Sequence, residues 1–254
     1  MKAQRSVLVC FPLKEEAAPF RKIAANKPGT AILLTGIGRQ NAERSLRVSL
    51  AAQSAELVLS CGFAGGLNPD LKLGDVVFEL ANAPSIQSLS PSGGQSAAAG
   101  QGEGLCQDGG VQKLDEQLEP TDVGCHNLKE KLLAVGARPA KFFCADEVAT
   151  TAADKQKLHR ETGADAVEME SAAIHAVCVK HGVPCATVRV ISDPADADLP
   201  LDFNALARPD KSLDYSKLLL AIAKSPGKIG ALMKLQKQTQ FAAERLAQVL
   251  FRIL

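Results

Sequence analysis

Short apolar runs and longer amphipathic stretches alternate along most of the chain. Residues 6–11 form a compact apolar, β-branched run halted at Pro12, which predicts a fully buried strand. Apolar residues then recur at helical spacing over 14–25 (Ala17, Phe20, Ile23, Ala24), with Glu15 and Glu16 in the first turn. Residues 31–34 predict a second strand, which breaks into Thr35-Gly36-Ile37-Gly38 before a helix to about residue 53. Residues 57–61 predict a third strand, followed by a glycine-rich turn, Gly62-Phe63-Ala64-Gly65-Gly66-Leu67. Leu73-Gly74-Asp75 turns into another strand at Val76-Val77-Phe78.

The pattern lapses between about 83 and 120, where Ser, Gly, Gln and Ala dominate, and this predicts a low-complexity loop with too little apolar surface to order itself. It resumes with a helix over 122–135, a strand over 139–144, and a helix through His159 that Thr151 would cap. A buried run ending at Val167-Glu168 passes into an alanine-rich helix over 170–181 that Gly182 stops, and residues 183–191 predict the next strand. A C-terminal helical extension over about 212–254 closes the chain, as helices at about 212–224 and 228–252. The last is basic and amphipathic. That suits packing on its own domain or a second subunit, and is also compatible with peripheral membrane contact.

Strands alternating with helices predict an α/β fold: a three-layer αβα sandwich around a mostly parallel, twisted central sheet, with ligands outside the C-terminal ends of the strands. The 254 residues fit one domain spanning 1–254. Hydrophobic residues make up 46% and charged residues 22%, and the net charge of +1 gives no global field for nucleic acid. Tryptophan is absent, which argues against a base-stacking platform. The seven cysteines include no Cys-x-x-Cys pair and the four histidines lack metal-ligand spacing, so reduced thiols, a cytoplasmic location and no metal or cofactor are expected. Asp193, Asp196 and Asp198 resemble half of a calcium loop, but the central glycine and distal glutamate are missing. No stretch approaches the ~20 apolar residues of a membrane span.

Candidate chemistry gathers where strands end. Glu16 follows the first strand, the Gly62–Gly66 turn the third, Met169-Glu170 a later one, and Ser192-Asp193 ends the strand that begins at 183. An unpaired buried carboxylate is costly, so apolar strands running into acids point to a site rather than to packing. Glu168 and Glu170, two residues apart, divide by position: the helix start turns Glu170 toward a ligand, while Glu168 anchors the strand end or touches the ligand secondarily. Three glycines in five residues beside an apolar strand require a close backbone approach, by a ligand or by a neighbouring segment.

These pieces, in this order, resemble the nucleoside phosphorylase/nucleosidase superfamily. They are most similar to its hydrolytic branch, the methylthioadenosine/S-adenosylhomocysteine nucleosidases. The motifs are Lys14-Glu15-Glu16, Gly36-Ile37-Gly38, the Gly62–Gly66 turn with Gly74-Asp75-Val76-Val77, Val167-Glu168-Met169-Glu170, and Arg189-Val190-Ile191-Ser192-Asp193. A looser likeness, through Asp193-Pro194-Ala195-Asp196 and the C-terminal helix, is to the hopanoid-associated nucleosidase group. The resemblance implies cleavage of the N-glycosidic bond of an adenosine-type nucleoside, by a homodimer without cofactor. It implies that Glu16 activates the attacking water and that Asp193 protonates the leaving base. Glu170 would bind the ribose hydroxyls with Met169 against the sugar. Phe63, Ala64, Gly65 and Ser192 would face the ligand, and Val148 and Ala149 would edge the base. Phosphorylases of the superfamily place an arginine two residues before the glycine-rich turn; here Ser60 stands there, which favours water over phosphate as nucleophile, with Arg39 and Lys14 as the other anion-binding candidates. A phosphorylase and a catalytically silent nucleoside-binding module are the alternative readings.

Overall fold

The computed structural model of the chain describes residues 6–25, 27–80, 121–208, 211, 214, 216, 217, 220 and 226–254. The predicted loop at 83–120 lies outside these residues, as does most of the predicted helix at 212–224.

Strand β1 (Val7–Phe11) sits between β2 (Thr30–Leu34) and β3 (Leu57–Gly66), parallel to both. Its side chains alternate between two cores, as the two-residue period of a strand requires. Val9 and Phe11 enter one cluster, and Leu8 and Cys10 enter the other. Helices α1 (Lys14–Ala24) and α2 (Arg39–Ala52) cover opposite faces: Ala17 and Phe20 join the first cluster, Ala42 and Leu46 the second. A layer of helices on each face of the sheet is the predicted sandwich.

Strand β4 (Val76–Leu80), α3 (Thr121–Ala134), β5 (Arg138–Pro139), β6 (Phe142–Cys144), α4 (Ala152–Thr162), β7 (Ala166–Glu168), α5 (Ser171–His181) and β8 (Cys185–Asp193) follow. The sheet runs β2-β1-β3-β8-β4-β5, with β6 and β7 branching from the end of β3. The β1, β2, β3 and β8 neighbours are parallel, while β4 runs antiparallel to β8 and β7 antiparallel to β3. A short α6 (Phe203–Leu206) precedes the final helix, α7 (Ile229–Ile253). The C-terminal half of α7 buries Ala242, Leu246, Val249, Leu250 and Ile253 in the same core as α1. Toward its start Ile229, Met233 and Phe241 are exposed. Among the described residues no helix is long and apolar enough to cross a membrane.

Two local expectations are corrected. The predicted strand at 139–144 is two strands serving different neighbours: β5 pairs with β4, and β6 with β7. The glycine-rich turn is not a turn, because β3 continues through Gly66. It pairs with β8 up to Asp193, across an irregularity between Ala64 and Gly65, and its last two residues pair with β7. The glycines make this strand a shared seam. A Cβ on Gly62 would lie 2.5 Å from Nη1 of Arg189 and 3.1 Å from both Oε1 of Glu16 and Cδ of Pro12. The close approach is therefore by neighbouring side chains. Gly62→Ala is expected to destabilise the fold by about 1–3 kcal/mol, since the arginine is locked and cannot yield. Urea melts that match wild type would refute this.

Candidate active site

Four strand ends and two loops converge on a cleft of about 200 Å³. The catalytic and substrate-binding candidates of the sequence all border it: Glu16, Phe63, Ala64, Gly65, Val148, Ala149, Glu168, Met169, Glu170, Ser192 and Asp193. Pro12, Leu13, Ile37, Glu147 and Val167 complete the wall. A larger surface groove of about 430 Å³ lies between Leu73 and the face of α7 bearing Met233, Lys234, Lys237 and Phe241. No acid lines it, whereas five border the smaller cleft, which is therefore the candidate site.

Each carboxylate is held by the element that presents it. Glu16 is the third residue of α1, and its Oε2 accepts the Leu13 N–H at 3.0 Å, the reach-back half of a helix capping box. Its Oε1 accepts the Phe63 N–H at 2.9 Å, which ties α1 to β3. Burial pushes the Glu16 carboxyl up to about 7, against the pull of these N–H groups and of Arg189. Glu170 stands at the head of α5; its Oε1 accepts the Gly38 N–H at 2.8 Å and its Oε2 lies 3.3 Å from Arg189. Burial and the nearby Glu168 raise it as well, with Arg189 opposing.

Glu168 is different. Its Oε2 accepts the N–H groups of Glu170 and Ser171 at 2.9 and 2.8 Å, and its Oε1 accepts the Ser171 hydroxyl at 2.6 Å. It thereby caps α5, whose first N–H groups lack intrahelical partners. Arg189 Nη2 lies 2.5 Å from the same Oε2, and neither side chain is exposed. Burial raises the Glu168 carboxyl, but Arg189 and the Ser171 bonds overcome this and hold it below the ordinary range. Both border the cleft, but Glu168 is committed to the α5 cap and to Arg189, while Glu170 accepts one N–H and lies farther from the guanidinium.

The sequence reading left Arg189 out of the site. It is fully buried and serves three acids with one charge, with further contacts to the Cys61 carbonyl at 3.2 Å and the Ser60 hydroxyl at 3.3 Å. One cation cannot neutralise Glu16, Glu168 and Glu170 together. Glu168 takes it most closely, so for the other two burial outweighs the pull of Arg189 and their carboxyls stay raised. The signal was present: an arginine amid Val188, Val190 and Ile191, in a strand that reads as buried, demands a counter-charge.

Asp193 ends β8 just past the irregularity in its pairing with β3. Its Oδ1 accepts the Ser192 hydroxyl at 2.6 Å, and its Oδ2 meets Lys155 Nζ at 2.5 Å. Burial raises its carboxyl, while Lys155 and Ser192 oppose the rise. Val148 lines the cleft, and its N–H and carbonyl are both engaged by the Asn204 amide at 2.9 Å. Neither cationic anion-binding candidate enters the cleft. Arg39 donates to the Cys144 carbonyl and pairs with Asp146 at 3.3 Å, and Lys14 pairs with Glu15 at 3.8 Å. Asp198, part of the half calcium loop, accepts the Ala152 N–H at 2.7 Å and steadies the start of α4. Among the described residues no group of His, Cys, Asp and Glu is arranged to hold a metal.

A family model described as the phosphorylase superfamily matches residues 12–224. An aminodeoxyfutalosine nucleosidase from Campylobacter jejuni is 29% identical over 171 residues, which cover 66% of this chain and 69% of that protein. Futalosine hydrolase of Helicobacter pylori superposes with a TM-score of 0.62 at 18% identity, covering 98% of this chain and 97% of that one. The 5′-methylthioadenosine/S-adenosylhomocysteine nucleosidase of the same organism, bound to butyl-thio-DADMe-Immucillin-A, gives 0.63 at 18% identity, over 99% and 98% of the two chains. At these identities the structural likenesses establish a common fold.

Proposed function

The chain belongs to the phosphorylase superfamily, and from that membership we propose that it is an N-ribosyl hydrolase that cleaves the N-glycosidic bond of a purine, adenosine-type nucleoside to free base and ribose moiety. The nucleosidase activity named for its Campylobacter relative supports the reaction type. The observation that carries water rather than phosphate as nucleophile is the charge of the wall. Glu16, Glu147, Glu168, Glu170 and Asp193 border the cleft, and none of its bordering residues is a lysine or arginine. A phosphate dianion there would face repulsion with no bidentate partner.

In this reading Glu16 takes a proton from water as the water attacks C1′, and Asp193 gives a proton to the base as the C–N bond breaks. Positive charge that builds on the sugar is steadied by the carboxylates, much as paired carboxylates serve glycosidases. Glu170 holds the ribose hydroxyls and Met169 packs against the ring. Glu168 acts behind them as the cap of α5 and the partner of Arg189. Phe63, Ala64, Gly65, Ser192, Val148 and Ala149 shape the remainder. A homodimer in the cytoplasm completes the proposal. The free thiols of Cys10, Cys61, Cys144, Cys178 and Cys185 accord with a reducing compartment, and light scattering in solution tests the dimer.

The test is incubation of the purified protein with a nucleoside panel, with and without inorganic phosphate. Base release that is indifferent to phosphate, with free ribose as co-product, is expected. A strict phosphate requirement would make it a phosphorylase, and tight binding without turnover a binding module. The pH dependence follows from the two acids. Glu16 must be ionised, so its active fraction grows as pH rises through about 7. Asp193 must be protonated, so its active fraction shrinks as pH rises through its own raised value. A bell-shaped kcat/KM is expected, its apparent values belonging to the pair. A profile flat from about pH 5 to 9 would contradict these roles.

A further inference from the structure

Asp193 does not stand free at the end of β8. Lys155, on α4, has no exposed surface, and its ammonium lies 2.5 Å from Asp193 Oδ2. The other two donors go to the carbonyls of Pro194 at 3.0 Å and Ala197 at 2.9 Å. Three N–H donors thus meet three acceptors. The surrounding segments are tied together: Leu199 N–H donates to the Thr150 carbonyl at 2.8 Å, and Asp198 holds the Ala152 N–H. A lysine is almost never fully buried without a partner, because desolvating its charge is costly. Two carbonyls alone could be satisfied by a neutral donor. The third direction, onto the carboxylate at the floor of the cleft, uses the charge.

We propose that Lys155 is the positioning residue of the leaving-group acid: it fixes the Asp193 carboxyl at the base side of the cleft and stabilises the carboxylate left when the proton departs. This rests on the nucleosidase reading above. In the step, the electron pair of the C1′–N bond passes to the base, and the Asp193 proton passes to a base nitrogen. Water supplies hydroxide to C1′ and gives its other proton to Glu16. The anion formed on Asp193 therefore forms beside a fixed cation, with no reorganisation at the moment of transfer. Ser192 donates to the opposite oxygen, so both carboxylate oxygens are oriented. The titratable groups sharing the cleft with Asp193 are Glu16 from α1, Glu147 from the loop before α4, Glu168 from β7 and Glu170 at the head of α5. Lys155 is the cation paired with Asp193 itself, against the acids around it.

The experiment compares wild type with Lys155→Met and Lys155→Gln. Glutamine removes the charge but keeps a polar N–H donor on a slightly shorter side chain, and urea melts of both variants separate loss of charge from loss of fold. Removing an opposite charge at this distance is expected to move the Asp193 limb of the pH profile upward by about 1–3 units. The kcat for a purine nucleoside should fall about 10–100-fold, part of the ~10²–10⁴ that a positioned proton donor supplies, with KM nearly unchanged. A para-nitrophenyl riboside, whose leaving group departs without a proton, should be cleaved by the variants as by wild type. Equal losses on both substrates, or an unmoved pH limb in Lys155→Gln, would overturn the inference. Failure of the nucleosidase reading looks different, because wild type itself would then release no base.

Discussion

Replacing Arg189 by methionine is expected to destabilise the protein by about 3–5 kcal/mol near neutral pH, the cost of leaving buried carboxylates without their cation. The guanidinium is fully buried and is the shared counter-charge of Glu16, Glu168 and Glu170. Glu168, within 2.5 Å of it, loses most. The sign with pH distinguishes this from a cavity effect. In the native protein Glu168 is held low, so its stabilisation is present above the ordinary carboxylate range and is lost as pH falls. Glu16 and Glu170 are held high, so what they contribute is present at low pH and is lost as pH rises through their folded values. Without Arg189 all three would be raised, and each would have to ionise unpaired as pH increases. The deficit should therefore be larger at about pH 8 than at about pH 5 in urea melts at both values. Equal deficits would mean that packing, not charge, is what Arg189 supplies. Adding Glu168→Gln should restore part of the loss, because the variant then buries one charge fewer.

That arginine also marks how far sequence reasoning reached. β1, α1, β2 and α2 were readable because each element has one dominant signal: short apolar runs for the strands, of which β1 is buried on both faces and β2 lies at the sheet edge, and three-to-four-residue spacing for the helices. The caps were readable too. Thr151 accepts the Asp154 N–H at 3.1 Å, and Gly182 ends α5 in the left-handed conformation its lack of a Cβ permits. The end of β3 was misread because glycine is depleted in strands. Here glycines are required by what leans across the strand, and no local window contains Arg189 or Asp193 of the facing strand. The division of the 139–144 run into β5 and β6 was hidden for the same reason, since its two halves differ only in which distant strand they meet. Lys155 left no trace at all. It sits between Asp154 and Gln156 in a polar helix start, and it is buried by a loop some forty residues later, joined through the carbonyls of Pro194 and Ala197. Glu168 and Glu170 could be found as a pair from their spacing. Which of them keeps its carboxylate for the cleft depends on the α5 cap and on the distances to Arg189.

Asp193→Asn is expected to lower kcat for a purine nucleoside by about 10²–10⁴-fold, the range a positioned proton donor supplies. Asparagine keeps the shape, and its carbonyl can still accept from Lys155, so KM should change little, while the fold loses stability because Lys155 no longer has a counter-charge. What it cannot do is carry the proton whose transfer lets a purine leave. The Asp193 limb of the pH profile should vanish with the substitution, and an activated aryl riboside should remain a substrate. Glu16→Gln is expected to fail differently. The amide oxygen can accept from Phe63 or from Leu13 but its NH2 cannot accept from the other, so one end of the α1–β3 tie is broken as well as the base removed. Its loss should therefore extend to the aryl riboside, because water must be activated whichever group departs. Opposite responses of these two variants to the leaving group would separate the acid from the base. Asp193→Asn turnover within a few-fold of wild type would remove Asp193 from the chemistry, and with it the reason for Lys155 to be buried where it is.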